Sequence, residues 1–227
     1  MRDSPEKILK THTFVSSGDV RSAKRILNWA RDHLIREQES VRRPYPPQTV
    51  CPYVEASIKA NCLYMVFHND VNGRDPAAVA DVILGYVNPF KEAPPFARHE
   101  QALKALLIVF PNVEEKYLTV LDECHRTIKP KIVNFGLMIG QFHPRCRERA
   151  VHNPEWDAIS QSPVPLVAIR HMTIHDIMFL HDSEEGFRAY ESKFGCRFAQ
   201  RGESLYPYQK HLITYYERAK SAYARLE

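Results

Sequence analysis

Residues 105–110 read Ala105-Leu106-Leu107-Ile108-Val109-Phe110, and this run decides the fold. Four large aliphatics in succession fit a strand covered on both faces, because a strand with one wet face alternates apolar and polar residues. Pro111-Asn112 follows it and starts another helix. A second strand is predicted upstream at Cys62-Leu63-Tyr64-Met65-Val66-Phe67-His68, closed by the turn residues Asn69-Asp70 and Asn72-Gly73. Between the two, Asp75-Pro76 supplies a helix cap and a first-turn proline. Val79, Val82, Ile83 and Tyr86 then form one apolar helix face. Pro89 and Pro94-Pro95 break the chain before the aliphatic run begins.

Downstream, Glu114 and Glu115 favour the positive end of a helix whose core face is Tyr117, Leu118, Leu121 and Ile128, with Pro130 expected to stop it. A third strand is read over 135–142, running into His143-Pro144. A polar segment of about 20 residues follows, long for an idle connection. Val164 to Arg170 reads as the fourth strand, and its early proline suggests an edge position or a strand start.

At the N-terminus, Ser16-Ser17-Gly18-Asp19 opens an amphipathic helix with Val20, Ala23, Leu27, Ala30 and Leu34 on one face, followed by the stiff linker Arg42-Arg43-Pro44-Tyr45-Pro46-Pro47. Thr173 and Asp182-Ser183 cap two short helices, and a last helix is read from Tyr208 to Ala222. This order predicts a single α+β domain with a mixed four-stranded sheet and helices packed against it. Residues 1–45 hold the first helix and linker, 50–195 the core and 205–227 the last helix.

Composition narrows the function. No run of about 18 apolar residues is present, which argues against a membrane partner. The polar start lacks the apolar core of a signal peptide. Five cysteines without CxxC spacing argue against a disulfide framework and a Cys-rich zinc site, and suit reduced thiols in a cytoplasm. The net charge of +4 is spread, without the dense basic stripe that nucleic acid would require. Sixteen prolines against eight glycines predict stiff connections.

Chemistry concentrates between His143 and His181, where five of the eleven histidines fall: His143, His152, His171, His175 and His181. Loops at strand ends are where a rigid scaffold presents functional groups, and a histidine there serves as base, metal ligand or structural cap. His171-x3-His175 has the spacing of a zinc helix but lacks the glutamate of HExxH. No GxSxG, P-loop or GxGxxG occurs. Cys51-Pro52 is a dipeptide that in some proteins gives a thiolate to heme.

The stretches Gly136-Leu137-Met138-Ile139-Gly140-Gln141-Phe142-His143-Pro144, His152-Asn153-Pro154-Glu155-Trp156 and 162–172 resemble a domain family found in bacterial and fungal biosynthetic gene sets. Cys51-Pro52-Tyr53 and Ile108-Val109-Phe110-Pro111 fit the same pattern, so the resemblance covers most of 50–195. More remotely the arrangement is similar to the YqcI/YcgG family, some members of which are heme-dependent N-oxygenases. There a cysteine-proline element comes early, and a loop histidine precedes an apolar strand. That histidine falls on His152 here, and the strand on 164–170. In place of the arginines that follow it in that family, this chain has Asn153-Pro154-Glu155-Trp156, with Arg145, Arg147 and Arg149 just upstream.

The resemblance implies a heme b oxygenase that hydroxylates a nitrogen of a small amine or guanidine and draws on an external electron donor. His152 is then the axial iron ligand, His143 its substitute, and Arg145 a propionate contact. Arg170 and His171 leave a strand at the same end to touch oxygen or propionate, and Glu155 faces a cationic nitrogen. Two alternatives stay open: a heme or small-ligand carrier without turnover, and a non-heme metal hydrolase using some of His143, His171, His175 and His181.

Overall fold

The aliphatic run forms β2 (Ala105–Val109), an interior strand of a four-stranded mixed sheet ordered β1-β2-β4-β3, with β1 at Leu63–Phe67, β3 at Leu137–Phe142 and β4 at Leu166–His171. The computed structural model describes residues 16–35, 50–149, 158–199, 205 and 209–223. The chain is α+β, as the order of elements predicts. β1 and β2 are parallel, pairing Leu63 with Ala105 and Phe67 with Val109. β2 and β4 are antiparallel, pairing Ala105 with Arg170 and Val109 with Leu166. A parallel pair needs a long crossover, supplied here by three helices preceded by α1 (Ser17–Trp29) and α2 (Pro52–Lys59). The three are α3 (Pro76–Gly85), α4 (Val87–Glu92) and α5 (Arg98–Gln101).

Two compact units divide the chain: Met1–Ile128 with Ile139–His171, and Lys129–Met138 with Met172–Glu227. In the first, Leu106, Ile108 and Val109 are wholly buried while Leu107 is half-buried. The face of Leu107 is covered from α1, where Ile26 packs with Val109, Val164 and Leu166 and meets Met65, Phe67 and Phe142. α1 begins with the expected cap: the Ser16 hydroxyl accepts from the Asp19 N–H, and the Asp19 carboxylate from the Ser16 N–H.

The buried stripe of α1 differs from the one read in sequence. Ile26 and Trp29, with Ala30 and Leu34 in the following π-helical turn, face inward, and Val20 is 43% exposed. The indole and Ile26 offer more apolar area than Val20 and Ala23, and they set the rotation of the helix. The Arg42–Pro47 linker lies outside the described residues.

Two further expectations are corrected, and a third is narrowed to one of its alternatives. Pro130 does not stop its helix, which runs on as α6 (Thr119–Asn134). Ile132 and Val133 beyond it are buried, and their burial outweighs one missing hydrogen bond. The helix ends instead at Gly136, whose φ of 71° suits glycine. The third strand begins at Leu137, and Phe135 is exposed in the turn. β4 lies inside the sheet; Pro165 precedes it and accepts the Phe110 N–H at 2.9 Å, so the proline marks a strand start only.

The second unit is built from α7 (Ile177–Leu180), α8 (Glu184–Phe194) and α9 (Leu212–Tyr223). Its core holds Phe187, Tyr190, Phe198, Leu212 and Tyr216, with the Phe198 and Tyr216 rings stacked at 4.2 Å. Thr173 and Ser183 cap their helices as expected.

Candidate metal centre

The site starts from strand periodicity. Gln141 and His143 are two residues apart at the end of β3, so their side chains leave on one face, and both reach α6. Asp122 lies in the first turn of that helix, where the positive end of the dipole favours a carboxylate. Its Oδ1 stands 3.1 Å from His143 Nε2 and accepts a hydrogen bond from Gln141 Nε2 at 3.3 Å. One helical turn along, His125 Nε2 contacts the Ile139 carbonyl at 3.2 Å, tying α6 to the same strand.

After β3 the chain folds into a tight turn. His143 donates its N–H to the Ser160 carbonyl at 3.2 Å, and the Cys146 N–H returns to the His143 carbonyl at 3.0 Å. Pro144 holds the second position, where its fixed φ suits a turn. The turn carries Cys146 inward. His143 and Cys146 are each 1% exposed, whereas the Asp122 side chain is 42% exposed.

The imidazole is therefore buried against a carboxylate that reaches solvent. Its Nδ1 is buried and makes no hydrogen bond among the described residues. The Cys146 Sγ lies 3.9 Å from the Gln141 carbonyl. Burial pushes this thiol up to about 11, opposed by a backbone hydrogen bond at Glu148 and reinforced by the charges of Asp122 and Glu148. A carboxylate oxygen, an imidazole nitrogen and a sulfur from Asp122, His143 and Cys146 all lie within 4.8 Å of one another. These are donors of the kind that hold a transition-metal ion.

Of the residues singled out in sequence, His143 alone belongs to this group. His152 and Glu155 lie outside the described residues. Arg145 is in the turn, but its guanidinium is exposed and 4.0 Å from Glu115. Arg170 and His171 do not leave the sheet at the same end as His143, contrary to the expectation. Phe142 packs with Val109, Val164 and Leu166, so His143 follows the Val109–Leu166 end, whereas Arg170 pairs with Ala105 at the other. From Leu166 to Arg170 the strand spans about 13 Å.

At that far end the His171 ring packs on Phe90 at 5.3 Å, and Arg170 Nη1 donates to the His171 carbonyl at 3.1 Å. Lys104 is wholly buried there, its Nζ donating to the Phe90 and Ala93 carbonyls at 2.7 and 2.6 Å and lying 4.7 Å from the Phe90 ring centroid. In the second unit His175 neighbours His211 at 6.3 Å, and His181 meets Tyr215 edge-on at 5.0 Å. Cys51 stands at the start of α2, half-buried against the Trp29 cluster. All five cysteines are free thiols.

Sequence reasoning missed Asp122, Gln141 and Cys146. The spacing His143-x2-Cys146 across a proline is the signal for Cys146, since a turn closed at that spacing brings an imidazole and a thiol together. Asp122 left none, since one acid in a helix's first turn is common.

The chain is thus an α+β protein with a mixed sheet, one strand of which ends in a buried imidazole and thiol beside a partly exposed carboxylate. Residues 23–204 match the domain of unknown function DUF6875, and the chain belongs to that family. No curated protein and no solved structure matches it. No helix among the described residues is long and apolar enough to cross a membrane.

Proposed function

We propose that this chain is a metal-dependent oxygenase that hydroxylates a nitrogen of a small amine or guanidine, with His143 presenting the imidazole to its metal. The state of that ring carries the reading. The large majority of buried side-chain nitrogens are partnered. Here Nε2 faces the Asp122 carboxylate with the Cys146 sulfur in the same cluster, and Nδ1 is buried without a partner among the described residues. A buried imidazole beside a carboxylate and a thiol has the donors that hold a transition-metal ion.

The substrate class rests on the remote similarity of the arrangement, an early Cys51-Pro52, the loop His152 and the apolar strand 164–170, to the YqcI/YcgG family. The reaction breaks an N–H bond and forms N–O. The second oxygen atom of O2 leaves as water, taking two protons and two electrons from an external donor.

Heme is the form of metal that the resemblance implies, and His143 suits it poorly. The ring is 1% exposed and its Nε2 already stands against the Asp122 carboxylate, which leaves no open face for a porphyrin, whereas a bare ion needs no such clearance. Heme in this protein would then be held through His152, and a bare ion through His143.

Metal analysis and absorption of the purified protein test the reading, followed by loading with ferrous iron, zinc or hemin and oxygen uptake with amine and guanidine substrates. The expected result is a bound ion, lost in His143→Ala, with oxygen uptake that depends on substrate. A Soret band abolished by His152→Ala would move the iron into heme. Turnover without oxygen would favour the hydrolase, and binding without turnover a carrier. A parent that takes neither ion nor hemin overturns the proposal.

A further inference from the structure

We propose that Asp122, His143 and Cys146 together form a three-ligand chelate, without porphyrin, for a borderline transition-metal ion such as zinc, ferrous iron or cobalt. The inference rests on the metal reading above and adds the thiolate and the ion's chemical class.

Three observations carry it. First, His143 and Cys146 belong to one turn closed by the Cys146 N–H to the His143 carbonyl at 3.0 Å. Two ligands separated by two residues on a closed turn repeat the geometry by which short metal-binding turns present a pair of donors. Second, the third donor comes from a separate rigid element, the first turn of α6. The three donor atoms are already within 4.8 Å of one another. Tetrahedral ligands about 2.0–2.3 Å from an ion stand roughly 3.3–3.8 Å apart, so closing on an ion needs about 1 Å of side-chain movement at the widest pair. Third, His143 Nε2 stands 3.1 Å from Asp122 Oδ1 and the ring is 1% exposed, so an ion taken up by the cluster replaces that hydrogen bond with two coordinate bonds.

The donor set selects the ion. A sulfur, an imidazole nitrogen and one carboxylate oxygen suit zinc, cobalt or ferrous iron; magnesium and calcium require mainly oxygen ligands. Three protein ligands leave one tetrahedral position for substrate or water, as in catalytic rather than structural sites. Gln141 donates to the same Asp122 oxygen and steadies that carboxylate from outside the chelate.

The test uses the full chain, stripped of metal under reductant and titrated with cobalt(II). The expected result is one ion per chain with a near-ultraviolet thiolate-to-cobalt band. In Cys146→Ser that band is lost and affinity falls at least tenfold; in Cys51→Ser both persist. Cys146→Ala repeats the test should the serine destabilise the core, and unchanged circular dichroism melting of the stripped variants establishes that each is folded. Magnesium and calcium should not compete. Cobalt bound without the thiolate band, or a band that survives in both Cys146 variants, overturns the chelate while leaving a metal at His143 in place. A parent that binds neither cobalt nor zinc overturns both.

Discussion

Two buried nitrogen groups stand near opposite ends of β4, and the structure treats them differently. Lys104 beside the Ala105–Arg170 end is a wholly buried ammonium with each hydrogen accounted for by two carbonyls and an aromatic face. It completes the end of α4, whose last carbonyls would otherwise be buried without donors. His143 beyond the Val109–Leu166 end is as deeply buried, yet only one of its nitrogens is engaged. A buried polar group whose bonding is saturated serves the fold. One left with capacity in a cluster of metal-type donors is available for chemistry.

The comparison breaks most readily at Lys104. Lys104→Ala removes both donors and leaves a void, and should lower unfolding free energy in urea by about 3–5 kcal/mol with metal affinity unchanged. A loss below 1 kcal/mol would mean that the two carbonyls find other partners.

Asp122→Asn should do the reverse. It keeps the shape and one acceptor but not the charge, so metal affinity should fall about 10–100-fold by competition with a chromophoric chelator. Stability of the stripped protein should move by less than about 1 kcal/mol, because this carboxylate is partly solvated. Equal effects on both measurements would reduce the cluster to a structural one.

A pH series sharpens the contrast. Burial pushes the Lys104 ammonium down from 10.5 to about 8. Between those values the unfolded chain holds a proton that the folded chain has released, so stability rises with pH. The Lys104 share of that rise should be about 1 kcal/mol from pH 8 to pH 9, read as the difference between the parent and Lys104→Met. The buried thiols oppose it over the same range, because Cys124, like Cys146, is pushed from 9.0 up to about 11 and keeps a proton that the unfolded chain loses. The same pH slope in the parent and in Lys104→Met would contradict the assignment.

The smallest effect is expected at Arg170 and His171. Because they belong to the Lys104 end, Arg170→Ala and His171→Ala should change metal affinity by less than about twofold, since no donor atom moves. A tenfold loss in either would mean that both ends of β4 serve one site.

Much of the frame was legible in the sequence because it follows from local pattern. The run 105–110 predicted a covered interior strand, and Asp75-Pro76 and Ser16–Asp19 predicted their caps, since caps and strand periodicity depend on residues within a few positions. His143-Pro144 at the end of β3 was legible for the same reason. The rotation of α1 was not, because Trp29 and Ile26 outweigh Val20 only once a partner surface exists. The continuation of α6 through Pro130 likewise depended on burial of Ile132 and Val133.

By itself, then, the sequence determined the strands, their caps, the α+β class and one member of the site. The tertiary structure decided strand order, which separated His171 from His143, and it brought Asp122 from twenty-one positions away to the imidazole. The reason is physical. Strand and turn preferences are set by neighbours along the chain, whereas a donor cluster is assembled by whichever elements the core presses together.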